Sequence, residues 1–371
     1  MIASSIRSRR EPSSVMGTIW SCTKLLKSAF FLLAGLLLLI FYQPVWADYA
    51  DGGENPRPLR VMTQNLYVGS DILQIMQATD TMEFFWWVRN VYWEMVDTNF
   101  HERAAAIADQ IAAKSPDLIG LQEVALVRTQ SPGDFFGNDP QPAEYVEFDF
   151  LDLLMGELTA RGLDYRVAAE VENADVELPM LPIDEGSPYL ADARVTFRDV
   201  ILAAGGVTIG SAFEENYQVN LPVVVMGISI EFTRGYTIVD ATVRDRSYRF
   251  ANTHLESVKE GDAAAVQVAQ AGELLVALSE IEAQFGALPT IIVGDLNSSP
   301  EDVAPAPGLT PPYHLISAYQ FEDAWLFRKE GPAPGLTCCQ AADLRNAESQ
   351  LNERIDHIFV RTPGGLADTT V

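Results

Sequence analysis

The 371-residue chain carries 25 Lys+Arg against 51 Asp+Glu, a formal charge of −26. A surface of that sign repels polyanions and gains nothing from counterion release, which excludes a non-specific DNA-binding module. Apolar residues make up 48% of the chain, enough for one large core or two small ones, and there are no internal repeats or low-complexity segments.

Residues 1–47 read as an export leader. Arg7, Arg9, Arg10, Lys24 and Lys27 come first, then the apolar run AFFLLAGLLLLIF at 29–41, then the small residue Ala47. That run is short of the ~20 residues that span a bilayer, so the pattern is a signal peptide, with a retained signal anchor as the alternative. Met16 is a second candidate start. Cleavage after Ala47 removes five basic residues and one acidic residue, Glu11, from the totals of 25 and 51, leaving 20 against 50 and a charge of −30. The expected location is secreted or periplasmic, and 48–371 is expected to form one domain.

Within that domain, LRVMTQNLYV (59–68) reads as a strand. FFWWVRNVYW (84–93) combines interfacial aromatics with a helical stripe of Phe84, Val88, Tyr92 and Met95, and the stripe favours a core helix over a membrane contact. The segment 100–116 is a helix with Ala104, Ile107, Ala108 and Ile111 on one face and Asn99 as N-cap. DLIGLQEV (117–124) is a buried strand, 148–162 a second amphipathic helix closed by Gly162, and DYRVAAEV a further strand. RDVILAAGG, YTIVDATV and YRFANTHLE continue the strands. A helix over 263–286 then leads into PTIIVGDLN (289–297), and RIDHIFVR (354–361) is the last strand. This order suits a layered α/β sandwich. Cys338 and Cys339 form a vicinal disulfide or remain two thiols; no disulfide scaffold holds the fold.

Several strands end in polar residues: Asn65, Gln122-Glu123, Thr253-His254, and Asp295 with Asn297. Asp356 lies within the last strand. Ligands gather outside strand ends in open α/β sheets. Hard oxygen donors such as Asn65 and Glu123 suit Mg2+ or Mn2+, which keep waters and bind phosphate. None of the four histidines has zinc-ligand spacing, and no phosphate-binding P-loop or nucleophile elbow is present. Metal-assisted attack of water on a phosphate ester remains. Residues two apart on a strand point the same way, so Asp295 and Asn297 can share one reaction centre. Each residue also has a plainer reading: an Asx turn for Asn65, Asp295 and Asn297, a solvated strand end for Glu123, a core imidazole for His254, and an ion pair with Arg354 for Asp356.

Five motifs in order, TQNLY, PDLIGLQEV, ANTHLES, IIVGDLNSSP and ERIDHIFV, resemble the endonuclease/exonuclease/phosphatase superfamily, the DNase-I-like fold; GLTCCQAADLRN resembles its exported bacterial members. The resemblance spans about 59–362. It implies a four-layer α/β sandwich with two mainly antiparallel sheets flanked by helices, and Mg2+-dependent phosphodiester or phosphomonoester hydrolysis. It assigns Asn65 and Glu123 to the metal, His254 to phosphate contact and acid chemistry, and Asp295 and Asn297 to water and phosphate. Asp356 would orient a final histidine in a Ser-Asp-His motif. No such motif follows residue 362. His357 is no substitute, because neighbours on a strand face opposite sides. A shortened or impaired member, or a non-catalytic phosphate-binding protein, is therefore the alternative expectation.

The expected substrate is a small phosphoester, a phospholipid headgroup or a nucleic acid, with no stable nucleic-acid binding. The leader and residues 84–93 are the only expected membrane contacts. A nuclease would need a basic stripe, for which Arg234, Arg244, Arg246 and Arg249 are the candidates.

Overall fold

Long apolar runs such as LIGLQ and TIIVGD are too short for helices and too uniform for a half-exposed sheet. In the computed structural model both are strands buried along their whole length, Leu118–Gln122 and Thr290–Asp295. The structure describes residues 58–363 except 185, 329, 330 and 332, together with the backbone of 2–6 and 369–370. The expected leader lies outside the described residues apart from Ile2–Ile6, which runs antiparallel to Leu59–Asn65. Were the chain cleaved after residue 47, Leu59–Asn65 would present that edge to solvent.

Among the described residues the strands form two large sheets and one hairpin. The first sheet runs in the order Thr369–Thr370, Ile2–Ile6, Leu59–Asn65, Leu118–Gln122, Ala191–Ala204, Leu126–Gln130, Tyr145–Asp149, with Tyr165–Met180 also paired along Ala191–Ala204. The second runs Glu322–Asp323, Asp356–Arg361, Thr290–Asp295, Arg246–His254, Gly235–Val243, Val207–Asn216. Each contains one parallel pair, Leu59–Asn65 with Leu118–Gln122 and Arg246–His254 with Thr290–Asp295; the remaining pairings are antiparallel.

Three apolar clusters define four layers. Val61, Leu118, Ile201, Val239, Phe250, Ile291 and Ile358 fill the space between the sheets. The helices Thr81–Asp97, Phe100–Lys114 and Phe150–Ala160 cover the other face of the first sheet, and Gly261–Phe285 covers the second through Ala271, Leu274, Leu275 and Leu278. The expected stripes are buried: Ala104, Ile107, Ala108 and Ile111 on one helix, Phe84, Val88, Tyr92 and Met95 on another, while Trp86 stays 45% exposed. Asn99 occupies the N-cap position of its helix as expected, but with a left-handed φ of 45° its side chain makes no cap bond. Asp80 and Asp149 do cap theirs, accepting from Glu83 N and from Leu151 N.

Two glycines let backbones meet where the site will form. A Cβ on Gly120 would lie 2.5 Å from Val293 Cγ2 and 2.6 Å from Asn252 Oδ1, so the two sheets approach closely there. Gly294, at φ +147°, packs against Thr253, whose carbonyl oxygen a Cβ would meet at 2.0 Å. Gly294→Ala is expected to destabilise the fold by about 3 kcal/mol, through strain plus overpacking. The urea unfolding midpoint measures this.

His357 faces away from the sheet interface, as strand alternation requires. Arg354 donates to its Nδ1 (3.0 Å), so its Nε2–H donates to Ser298 O (2.8 Å), and the ring packs on Tyr313 and Phe359. Burial, then Arg354, pushes its pKa down to about 4. Because the folded value lies below the unfolded value near 6.5, the folded chain binds fewer protons between the two. Stability is therefore complete above pH 6.5 and falls by about 3 kcal/mol as pH drops to 4 on this residue's account. Unfolding followed across that window in wild type and His357→Gln should show a shallower slope in the variant.

Candidate active site

Register brings the polar strand ends together. Within the first sheet Asn65 pairs with Gln122. Within the second, His254 pairs with Asp295 across a parallel ladder, and Asp295 pairs with Asp356 across an antiparallel one. The sheet interface joins the two sets. Asn65 Nδ2 donates to Glu123 Oε1 (3.0 Å) and, across the interface, to Asp295 Oδ2 (3.1 Å). Five of the six expected residues are therefore linked by hydrogen bonds or lie within 3.8 Å of a neighbour in the set: Asn65, Glu123, Asp295, Asn297 and His254. Asp356 joins them through its register with Asp295.

Backbone conformation aims these side chains. Glu123 leaves its strand at φ 52° and Asn297 leaves its own at φ 47°, both left-handed. Such strain in non-glycine residues concentrates at functional sites. Glu123 Oε2 accepts from Val68 N (2.7 Å), and Asn65 Oδ1 accepts from Tyr67 N (2.8 Å). Asp295 Oδ1 accepts from Asn297 N (2.8 Å). The Asx-turn reading thus holds for Asn65 and Asp295, but each uses only one side-chain oxygen for its turn. The other end of each side chain reaches into the cluster. The plainer reading of Asp356 does not hold: Arg354 pairs with Asp323 (2.7 Å) and His357 instead.

Electrostatically the site is a crowded anion set. Burial, then the facing Asp356, then Glu123 raise Asp295 well above the usual carboxylate range, against the bonds from Asn297 N and Asn65. Asp356 is raised by burial and by Glu123, against its bond from Thr337. His254 is driven the other way, well below its ordinary value, by burial and by Arg234. Both causes favour the neutral imidazole over the imidazolium. The guanidinium of Arg234 donates to Nδ1 (3.0 Å), which leaves the ring proton on Nε2. That nitrogen lies 3.0 Å from Asn297 Nδ2. One Asn297 amide proton goes to Leu255 O (3.0 Å). The other amide proton and the His254 Nε2 face each other at this point, their donor and acceptor roles set by the ring tautomer.

The donor set fits a hard divalent cation. It offers only oxygen, and the carboxylates of Glu123, Asp295 and Asp356 repel one another, with no lysine or arginine bonded to any of the three among the described residues. No group of three or more His, Cys, Asp or Glu among the described residues forms a ready metal cage. A cation here would keep most of its waters, as Mg2+ does.

Three site residues were not singled out for the site by sequence. Arg234 was read only as a member of a basic stripe. Arg103 holds the loop after Asn65 through Leu66 O (2.6 Å) and Tyr67 O (2.9 Å). Asp199 is fully buried, accepts from Asn173 Nδ2 (2.9 Å), and is pushed up to about 7 by burial. Its Oδ1 and the Arg234 Nε are buried without a partner. Nothing local marks them, since each acts through contacts far along the chain. The expected basic stripe is dispersed: Arg244 pairs with Asp117 (2.8 Å), Arg249 with Asp240 (2.8 Å), and Arg234 turns to His254. Cys338 and Cys339 are joined to each other.

Comparison with known proteins follows the same line. No curated protein matches the chain significantly. Among solved structures it is similar to the Bacteroides thetaiotaomicron VPI-5482 mannosyl-6-phosphatase Bt3783, at 15% identity over 82% of this chain and 86% of that one, TM-score 0.44. An endonuclease/exonuclease/phosphatase family protein from Bacteroides thetaiotaomicron aligns at 16% identity over 83% of both chains, TM-score 0.45. Truncated Caenorhabditis elegans TDP2 aligns at 19% identity over 71% and 78%, TM-score 0.40. The sequence profile of the Endonuclease/Exonuclease/phosphatase family matches residues 62–370, most of the chain. On that match the chain belongs to the Endonuclease/Exonuclease/phosphatase family.

Proposed function

We propose that this chain is an exported, Mg2+-dependent phosphoesterase that hydrolyses phosphodiester or phosphomonoester bonds, with Mn2+ as an alternative ion. The observation that carries this reading is the convergence of the His254 ring and the Asn297 amide, 3.0 Å apart, beside three crowded carboxylates. Groups of that kind fit a phosphoryl oxygen. Carboxylates with raised pKa values fit a group that takes a proton from water near neutral pH.

Glu123 and Asn65 would hold the cation, which when bound supplies positive charge to offset the charge building on the phosphoryl group. His254 and Asn297 bind a non-bridging oxygen. Arg234 keeps the His254 proton on Nε2, facing the phosphate. Asp295, held by Asn65 and Asn297 N, orients the attacking water and accepts its proton, and Asp356 raises the basicity of Asp295 by repulsion. The new P–O bond forms as the ester oxygen leaves and takes a proton from water at the mouth.

The net charge and the paired state of Arg244 and Arg249 favour a small phosphoester or a phospholipid headgroup over duplex DNA. The basic leader and its apolar run support export. A nuclease reading draws on no free basic stripe in the fold.

Hydrolysis of a chromogenic phosphodiester, with Mg2+ and with a chelator, tests the proposal. Glu123→Ala and Asn297→Ala are each expected to lower kcat/KM by about 10²–10³-fold. Turnover that survives both the chelator and Glu123→Ala would sink the reading. A folded protein that binds inorganic phosphate with Mg2+ and never turns over would instead be a non-catalytic binding protein.

A further inference from the structure

The segment 337–353 contains no helix or strand, only an isolated antiparallel bridge between Cys338 and Glu353. Side-chain amides give it a fixed shape all the same. Asn346 Nδ2 donates to Gln340 Oε1 (2.6 Å), and Asn346 Oδ1 accepts from Ala341 N (3.1 Å). Gln340 Oε1 also accepts from Gln350 N (3.0 Å).

This strap is tied to both sheets beside the active site. Tyr67, whose N–H holds Asn65 Oδ1, donates its hydroxyl to Ala342 O (2.8 Å). Thr337 makes the tie to the second sheet. Its Oγ1 accepts from Ile355 N (3.1 Å) and Asp356 N (3.2 Å), and its hydroxyl proton goes to the Asp356 carboxylate. A hydroxyl has one proton and two lone pairs, and Thr337 commits all of them to residues 355 and 356. It thereby holds facing Asp295 a carboxylate that Asp295 and Glu123 repel.

The neighbouring residue fixes Thr337 in turn. Thr337 N and Cys338 N both donate to Glu353 O (2.8 and 3.0 Å), and Glu353 N returns to Cys338 O (2.9 Å). Cys338 is joined to Cys339, which closes a small ring on their shared peptide. Such a ring restricts the backbone at both residues, and so limits how far the adjoining Thr337 can move. Cys339 is exposed, where a thiol can reach it.

We propose that Thr337 is a positioning residue for Asp356 and that the Cys338–Cys339 disulfide sets its place, so that a dithiol reductant lowers turnover. This rests on the phosphoesterase reading above and adds regulation of the same site. A thiolate of the dithiol attacks the Cys339 sulfur, the Cys338–Cys339 bond breaks, and the second thiol closes the reagent's own disulfide. Two electrons and two protons pass from the dithiol to the cysteine pair, which ends as two thiols. Asp356 then loses its clasp, and Asp295 loses the repulsion that makes it the better base. Glu123, His254 and Asn297 keep their places, so kcat falls while KM holds.

The test compares oxidised full-length protein, the same protein reduced with dithiothreitol, and the variants Thr337→Val, Thr337→Ser and Cys338→Ser/Cys339→Ser. Amide hydrogen exchange at Ile355 and Asp356 is read beside turnover of a chromogenic phosphodiester with Mg2+. Reduction and Thr337→Val should each speed exchange at these amides about fivefold and lower kcat about tenfold, with KM steady. Thr337→Ser keeps the hydroxyl and should behave as wild type in both readouts. The double serine variant should match reduced wild type and ignore the reductant. Exchange and kcat unchanged in Thr337→Val overturn the positioning role. A fall in kcat that Thr337→Ser shares marks a merely structural residue and overturns it too. Wild type indifferent to reduction overturns the part given to the disulfide. Should Thr337→Val fail to fold, reduction of wild type decides alone. If exchange responds as expected while oxidised wild type hydrolyses nothing, the clasp on Asp356 stands and the phosphoesterase reading fails.

Discussion

The structure depends on one close approach between its two sheets. Gly120 has no side chain, so Asn252 from the opposite sheet enters and donates to Leu121 O (3.0 Å) and Val200 O (3.2 Å), while Gln122 Nε2 donates to Asn252 Oδ1 (2.5 Å). These buried amides are satisfied by one another and by backbone, which is what makes a polar group tolerable inside an apolar sandwich. The interlock lies directly behind Asn65, Glu123 and Asp295. It fixes the separation of the sheets, and with it the single bridging contact that Asn65 makes between them.

Given that spacing, the site follows from topology. A parallel pair sends both carboxyl ends the same way, and each sheet contains one such pair at its centre. Four polar strand ends therefore arrive at one place. Their charges oppose one another, and burial sharpens the opposition, so Asp295 and Asp356 hold protons more tightly than free carboxylates do. Arg234 has the reverse effect on His254. One site thus contains a raised acid pair and a lowered imidazole, a separation that lets like residues take unlike roles.

The acidic composition acts at a different level. Of the arginines that sequence order suggests as a stripe, Arg244 and Arg249 are drawn into separate ion pairs and Arg234 turns to His254, because carboxylates outnumber the basic residues two to one and lie within reach on neighbouring strands. The surface they leave has little to offer a nucleic acid.

The sequence by itself determined the class of the fold, the helical stripes and the six side chains that meet, because periodicity and strand-end chemistry are local properties. It also determined that His357 turns away from Asp356, since alternation along a strand leaves no other choice. Asn99 sits at the N-cap position the sequence indicates, but with the left-handed backbone there its side chain makes no cap bond. The long paired strands Tyr165–Met180 and Ala191–Ala204 were only partly legible, since their polar alternation reflects exposure set by neighbours. What only the tertiary structure decided was the sharing of roles. Arg103, Asp199 and Arg234 reach the site across tens of residues, and their protonation and contacts depend on the dielectric and the charges around them. Those exist only once the two sheets have closed.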